Sequence, residues 1–287
     1  MLLLLTLGLA VLLGLAFGSF LNVCIVRLPQ DQSIASPRSH CTQCGATLRN
    51  IDNIPLLSYL LLRGKCRTCG VRISPQYPLV EAITAAWFVS SALPLASLLR
   101  QSASTADPLL AAAVHSAATA AFGFLLIGLA VMDWQTGLLP NEFTLGGLAA
   151  GIFFTFAESF FVPANPNKTL FTPEEVFIAQ RLGAALAGFL LLWGIDKIYH
   201  LVRRRPGVGG GDPKLLAMMG SFLGVHALAV AFLAGTALAT LAAVTTLAFR
   251  RGNGGTRLPF GSFLALGGLF AAIWGDRLAA WYLDLFH

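Results

Sequence analysis

The chain has 287 residues, of which 56% are hydrophobic and only 11% charged, with a net charge of +6 and a mean hydropathy of +0.74. Soluble domains carry roughly 25% charged residues, so this composition excludes a soluble globular enzyme, a disordered chain and a secreted disulfide scaffold. What remains is an all-α polytopic membrane protein carrying one polar insertion.

A bilayer core takes about 20 apolar residues of helix. Runs of that kind fall at 2–26, 79–99, 109–132, 143–162, 178–201, 213–225, 227–249 and 259–283. The stretch 213–249 is too long for one span and is broken only by Gly224 and His226, so it reads as two helices joined by a tight turn. The expected count is eight transmembrane helices. The first run lacks a basic segment before it and is followed by Arg27, so it reads as a retained helix rather than a signal peptide.

The first polar loop, 28–78, holds four of the five cysteines, as Cys41-Thr42-Gln43-Cys44 and Cys66-Arg67-Thr68-Cys69. Each pair is followed by a glycine (Gly45, Gly70) that lets the backbone fold around a sulfur-bound ion. Four thiolates from two such knuckles match the tetrahedral preference of zinc, and metal binding would supply the folding energy of so short a segment. Two disulfides are the competing reading, but the basic loop is expected in the reducing cytoplasm. His40 is a weaker ligand candidate, and Cys24 inside the first helix reads as a core residue.

Fifteen of the nineteen Lys and Arg residues fall on one side if this loop is cytoplasmic, which puts both termini outside. The basic charge is then topological, with contact to membrane lipid, and nucleic-acid binding is not expected.

Acids beside apolar spans are costly and default to functional roles. Asp133 ends the third run, and Asp212 opens the sixth within Gly209-Gly210-Gly211-Asp212-Pro213-Lys214. Asp212 followed by proline would also serve as a helix cap, and Asp133 could be a solvated end residue. Together, at one membrane depth, they suggest two carboxylates sharing a water, the chemistry of an aspartic protease. Gly209 and Gly211 let a backbone approach closely, and with Lys214 they are expected to border the substrate. The glycine run follows no strand and lacks the Ser or Thr of a phosphate loop, so nucleotide binding is rejected. Glu81, Glu142, Glu158 and Asp196 have sufficient structural explanations. A transporter or channel with a zinc-stabilised module is the alternative class.

An ordered set of motifs now becomes legible. It comprises Phe17-Gly18-Ser19-Phe20-Leu21-Asn22, Arg27-Leu28-Pro29, both cysteine pairs, Asp52-Asn53-Ile54-Pro55, Arg63-Gly64-Lys65-Cys66 and Ile73 to Glu81. Asp133, Leu139-Pro140, Gly209 to Asp212 with Lys214, and Pro259 to Gly267 complete it. In this the chain resembles the bacterial type IV prepilin peptidases, the leader peptidase/N-methyltransferases. The resemblance implies an inner-membrane aspartic endopeptidase that cuts basic leaders from prepilins and pseudopilins after a glycine, with Asp133 and Asp212 as the catalytic pair. It also implies N-methylation of the new terminus by S-adenosylmethionine, associated with the cysteine loop. The expected division is a first helix (1–27), a cytoplasmic four-cysteine metal-binding loop (28–78) and a membrane-embedded peptidase body (79–287). Asn141 departs from the family pattern, in which many relatives have Asp. Oligomeric state is not legible.

Overall fold

The computed structural model describes residues 1–100, 106–163, 172–204, 209–249 and 258–285. Arg205, Gly207, Arg250, Arg251 and Arg257 lie outside the described residues. Eight α-helices follow one another: α1 (Leu2–Arg27), α2 (Leu57–Leu61), α3 (Gln76–Arg100), α4 (Ala106–Thr136), α5 (Asn141–Ser159), α6 (Pro173–Arg203), α7 (Asp212–Ala248) and α8 (Phe260–Asp284). Among the described residues the only β pairing is two isolated bridges, His40 with Thr47 and Lys65 with Arg72. Six helices (α1, α3, α4, α6, α7 and α8) are long and apolar enough to cross a membrane. Their outward apolar side chains, such as Leu12 at 67% exposure, have no protein partner to cover them and suit a lipid surround.

The chain forms two compact units, Met1–Gly128 and Leu129–His287, with the division inside α4. In the first unit α1 lies antiparallel against α3. Gly14 and Gly18, four residues apart, face Ala85 and Glu81, and a methyl at Gly18 would come within 2.7 Å of the Glu81 Cα. Such spacing of small residues lets two membrane helices approach backbone to backbone, where dispersion contacts replace the missing hydrophobic drive. The Trp87 indole N–H donates to the Thr119 carbonyl at 2.8 Å, so the one polar atom of a buried ring is satisfied. Glu81 of α3 reaches into the cysteine loop. Its carboxylate accepts the Leu56 N–H at 2.8 Å and holds that residue at φ 58°.

In the second unit α7 is one run of 37 residues, interrupted at Gly224, where φ is 76° and ψ −177°. That backbone region is essentially confined to glycine. Neighbours on α8 show that the chain turns back there. A methyl at Gly261 would lie 3.1 Å from Asp212 Oδ1, and one at Gly235 would lie 2.9 Å from the Leu264 Cα. Gly261 and Leu264 are three residues apart, whereas a straight helix would separate Asp212 from Gly235 by about 35 Å. The run is therefore a hairpin, as the excess apolar length predicts. The eight apolar runs of the sequence therefore correspond to seven helices, α7 carrying two of them, and six of the seven are long and apolar enough to cross a membrane.

The first limb, 212–223, rises only about 18 Å, less than the roughly 30 Å of a bilayer core. It packs antiparallel to α6, where Gly220 meets Ala184 and Gly188 meets Leu216. On its other side Thr155 of α5 donates to the Ser221 carbonyl at 2.8 Å. The second limb runs antiparallel to α8, with Gly275 against Ala227. Beside the reversal, Arg181 pairs with Glu158 at 2.7 Å, both largely buried, and its Cγ lies 3.7 Å from where a Gly224 methyl would stand. Paired, neither charge is left bare in an apolar setting.

Candidate functional site

Asp133 occupies the last turn of α4. Gly137 ends that helix in the left-handed region, φ 66°, with its N–H donating to the Asp133 carbonyl at 2.8 Å. Asp212 is the first residue of α7, following Gly211 as the cap residue and preceding Pro213. The competing reading of Asp212 as the cap of this helix does not hold: no side-chain cap bond forms. Its Oδ2 instead turns back to accept the Gly209 N–H at 3.1 Å.

Both carboxylates are buried, Asp133 at 6% and Asp212 at 5% exposure, and they share one gap. Gly261, in the first turn of α8, marks it. A methyl there would stand 3.1 Å from Asp133 Oδ2 and 3.1 Å from Asp212 Oδ1. The two oxygens are thus separated by no more than twice that distance and face one small space. Leu139 supplies an apolar wall: its side chain would meet methyls at both Gly211 and Gly261 within 3.0 Å.

Ser262 is the residue that sequence reasoning missed. Its backbone N–H donates to Asp133 Oδ2 at 2.6 Å, and its hydroxyl lies 3.1 Å from the same oxygen and 2.8 Å from the Ala130 carbonyl. It is buried at the start of α8, inside the Pro259–Gly267 segment that the sequence marks only as a matching motif. The usable signal is a serine beside a glycine at the first turn of an apolar helix, where free N–H groups point outward.

The other predicted contact residues engage the protein itself. Gly209 is committed to Asp212, Gly211 faces Leu139, and Lys214 donates to Asn141 Oδ1 at 2.8 Å. The last pair joins the starts of α5 and α7 at the position where the sequence departs from the family pattern.

The cysteine module belongs to the first unit. Its four sulfurs all lie within 4.8 Å of one another, and Cys41 Sγ is 3.9 Å from Cys69 Sγ. A tetrahedral zinc with bonds of about 2.3 Å sets sulfur–sulfur edges near roughly 3.8 Å, whereas a disulfide needs about 2.05 Å. The four side chains are free thiols and could hold a metal ion.

The two halves of the module repeat one turn. Cys41 N–H donates to the Ala46 carbonyl and Gly45 N–H to the Cys41 carbonyl, each at 2.9 Å. Cys66 and Gly70 repeat this with Val71 and Cys66. Gly45 and Gly70 both adopt positive φ, 69° and 72°. Backbone N–H groups of Cys69 and Thr68 aimed at Cys66 bring its thiol down to about 6, and those of Cys44 and Gln43 lower Cys41. Two of the four, Cys66 and Cys41, are thus poised toward the thiolate that a metal requires. His40 turns away, its Nδ1 lying 3.2 Å from the Arg38 carbonyl. Arg67, between the second pair, grips Asp52 with a fork of 2.6–3.1 Å contacts.

Comparison with known proteins shows the family. Residues 12–95 match the bacterial peptidase A24 N-terminal domain, and residues 120–244 match the type IV leader peptidase family. A "prepilin leader peptidase/N-methyltransferase" of Bacillus subtilis is 35% identical over 95% of this chain and 96% of its own length. Proteins of the same name from Pseudomonas putida and Aeromonas hydrophila are 33% and 31% identical, over 96% and 97% of this chain and 93% and 94% of theirs. No solved structure gives a significant match. With both domains in order and near-complete coverage, the chain belongs to the type IV leader peptidase family.

Proposed function

We propose that the chain is a membrane-embedded prepilin leader peptidase and N-methyltransferase in which Asp133 and Asp212 carry the proteolysis. The observation that supports this most directly is the pair of buried carboxylates around the space that Gly261 leaves open. One carboxylate takes a proton from the water between them as its oxygen attacks the scissile carbonyl. The other, protonated, donates to that carbonyl oxygen, giving a tetrahedral diol. Return of a proton to the leaving nitrogen breaks the C–N bond and restores the pair. Both acids sit at helix ends rather than mid-span, which favours this reading over a transporter.

The basic loops support an inner-membrane protein with the cysteine loop cytoplasmic and both termini outside. A prepilin or pseudopilin with a basic leader would then meet the carboxylates at the membrane edge, where its backbone need not enter lipid unsatisfied. Gly209, Gly211 and Lys214 border that path. Residues 28–78 form the metal module, and 79–287 the peptidase body. Cys41, Cys44, Cys66 and Cys69 would hold zinc, which supplies rigidity to the loop. The methyl group comes from S-adenosylmethionine.

Intact mass measurement of a prepilin incubated with the purified enzyme, with and without S-adenosylmethionine, tests the reading. The wild type should remove the leader and add one methyl only when the donor is present. Asp133→Asn and Asp212→Asn should each abolish leader removal while remaining folded. Cleavage at near wild-type rate by either variant would overturn the assignment.

A further inference from the structure

A cleft of about 430 Å³ opens where α1 ends, and its lining mixes apolar side chains with arginines. Phe20 and Val23, on the last turns of an apolar membrane helix, are part of that lining. Arg27, Arg38 and Arg49 line it too, and among the described residues no acid does. Arg27, one turn beyond Val23, is buried and holds the loop over the cleft by donating to the Ser33 and Pro37 carbonyls at 3.0 and 2.6 Å. Arg38 donates to the amide oxygen of Asn50, a neutral acceptor. Of the two acids in this segment, Asp52 is committed to Arg67 and Asp31 is not among the lining residues. Three arginines therefore line one space with no carboxylate in its wall.

Such a space favours an anion, and its apolar side chains favour one with a hydrocarbon body. We propose that this cleft is a binding site for the phosphate headgroup of an anionic phospholipid. The phosphate lies among Arg27, Arg38 and Arg49, and the acyl-glycerol part lies along Phe20 and Val23. The methyl donor suits it poorly, because S-adenosylmethionine carries a sulfonium and an ammonium against a single carboxylate. A basic prepilin leader is repelled outright. An apolar helix ending at Arg27 puts the cationic end at a membrane–water boundary whichever way the chain is inserted. The proposal therefore stands independently of the peptidase assignment.

Native mass spectrometry of the full-length protein, extracted gently and supplied with phosphatidylglycerol or phosphatidylcholine, tests it. Each arginine near a membrane surface is worth about fivefold in affinity for anionic lipid. The wild type should retain phosphatidylglycerol about thirtyfold more strongly than an Arg38→Gln/Arg49→Gln double variant, with phosphatidylcholine equal in both. If the double variant fails to fold, as judged by loss of bound metal, Arg49→Gln alone should lose about fivefold. Equal retention by wild type and variants overturns the proposal. Displacement of the lipid by S-adenosylmethionine overturns it in favour of a methyl-donor site. Binding of inorganic phosphate with no preference for phosphatidylglycerol overturns the lipid as its source.

Discussion

Asp133 Oδ2 receives the backbone N–H of Ser262 at 2.6 Å and has the Ser262 hydroxyl 3.1 Å away, so the start of α8 fixes the carboxylate that ends α4. The hydroxyl also spans to the Ala130 carbonyl one turn earlier. A single buried side chain thus ties the acid to the backbone of its own helix. With Asp133 as the proposed catalytic acid, Ser262 is placed to act through it as a positioning residue.

Replacing Ser262 by Ala keeps the N–H but removes the hydroxyl. A hydrogen bond to a charged group is worth about 1.5–3 kcal/mol, so kcat should fall roughly tenfold to a hundredfold with KM little changed. The pH profile of kcat/KM should also move. A change in expression level alone, with kcat and the profile intact, would show the serine to be structural only.

Gly261→Ala would put a methyl between the carboxylates, 3.1 Å from an oxygen of each and 2.9 Å from Leu139 Cδ1. Water is displaced while both acids remain. Leader cleavage should be lost, with the thermal transition of the detergent-solubilised protein nearly unchanged. Retained cleavage would mean that the reacting water sits elsewhere.

At Gly224 the backbone lies in a region that other residues enter at a cost of about 1–3 kcal/mol. Space is not limiting there, since the nearest neighbour of an added methyl is Arg181 Cγ at 3.7 Å. Gly224→Ala should therefore destabilise by about that amount through backbone strain alone. Gly146→Ala, on an open helical position, should not. Denaturant unfolding of both variants separates the two cases.

The Arg67 guanidinium beside Asp52 holds its carboxyl below the ordinary value. A carboxyl lowered on folding stabilises the folded form above its unfolded value, and the contribution disappears as pH falls through the lower folded value. Wild type should thus protect the Asn50–Asn53 turn from hydrogen exchange better than Asp52→Asn near neutral pH. The difference should vanish in acid. The pair is partly solvent-exposed, so the effect should be small and salt-sensitive. Equal protection at neutral pH would count against the pair as a tie.

Much of this protein is legible in its residues alone, because its strongest signals are one-dimensional. Twenty-residue apolar runs have few alternatives to membrane helices, since an unpaired backbone in lipid is too costly. Two CxxC-Gly turns dictate their own local geometry, and the surplus length of 213–249 already implies a reversal. Asp133 and Asp212 stand out because acids are rare in such a chain. The relation between distant elements, by contrast, emerges only once the chain is folded. The hydroxyl of Ser262 reaches Asp133 across 129 positions, and Glu81 leaves its own helix to hold Leu56. Asp212 gives up its cap for Gly209. Helix periodicity states which face a side chain is on, but a hydrogen-bond partner depends on which backbones approach to within about 3 Å, and that is set by packing.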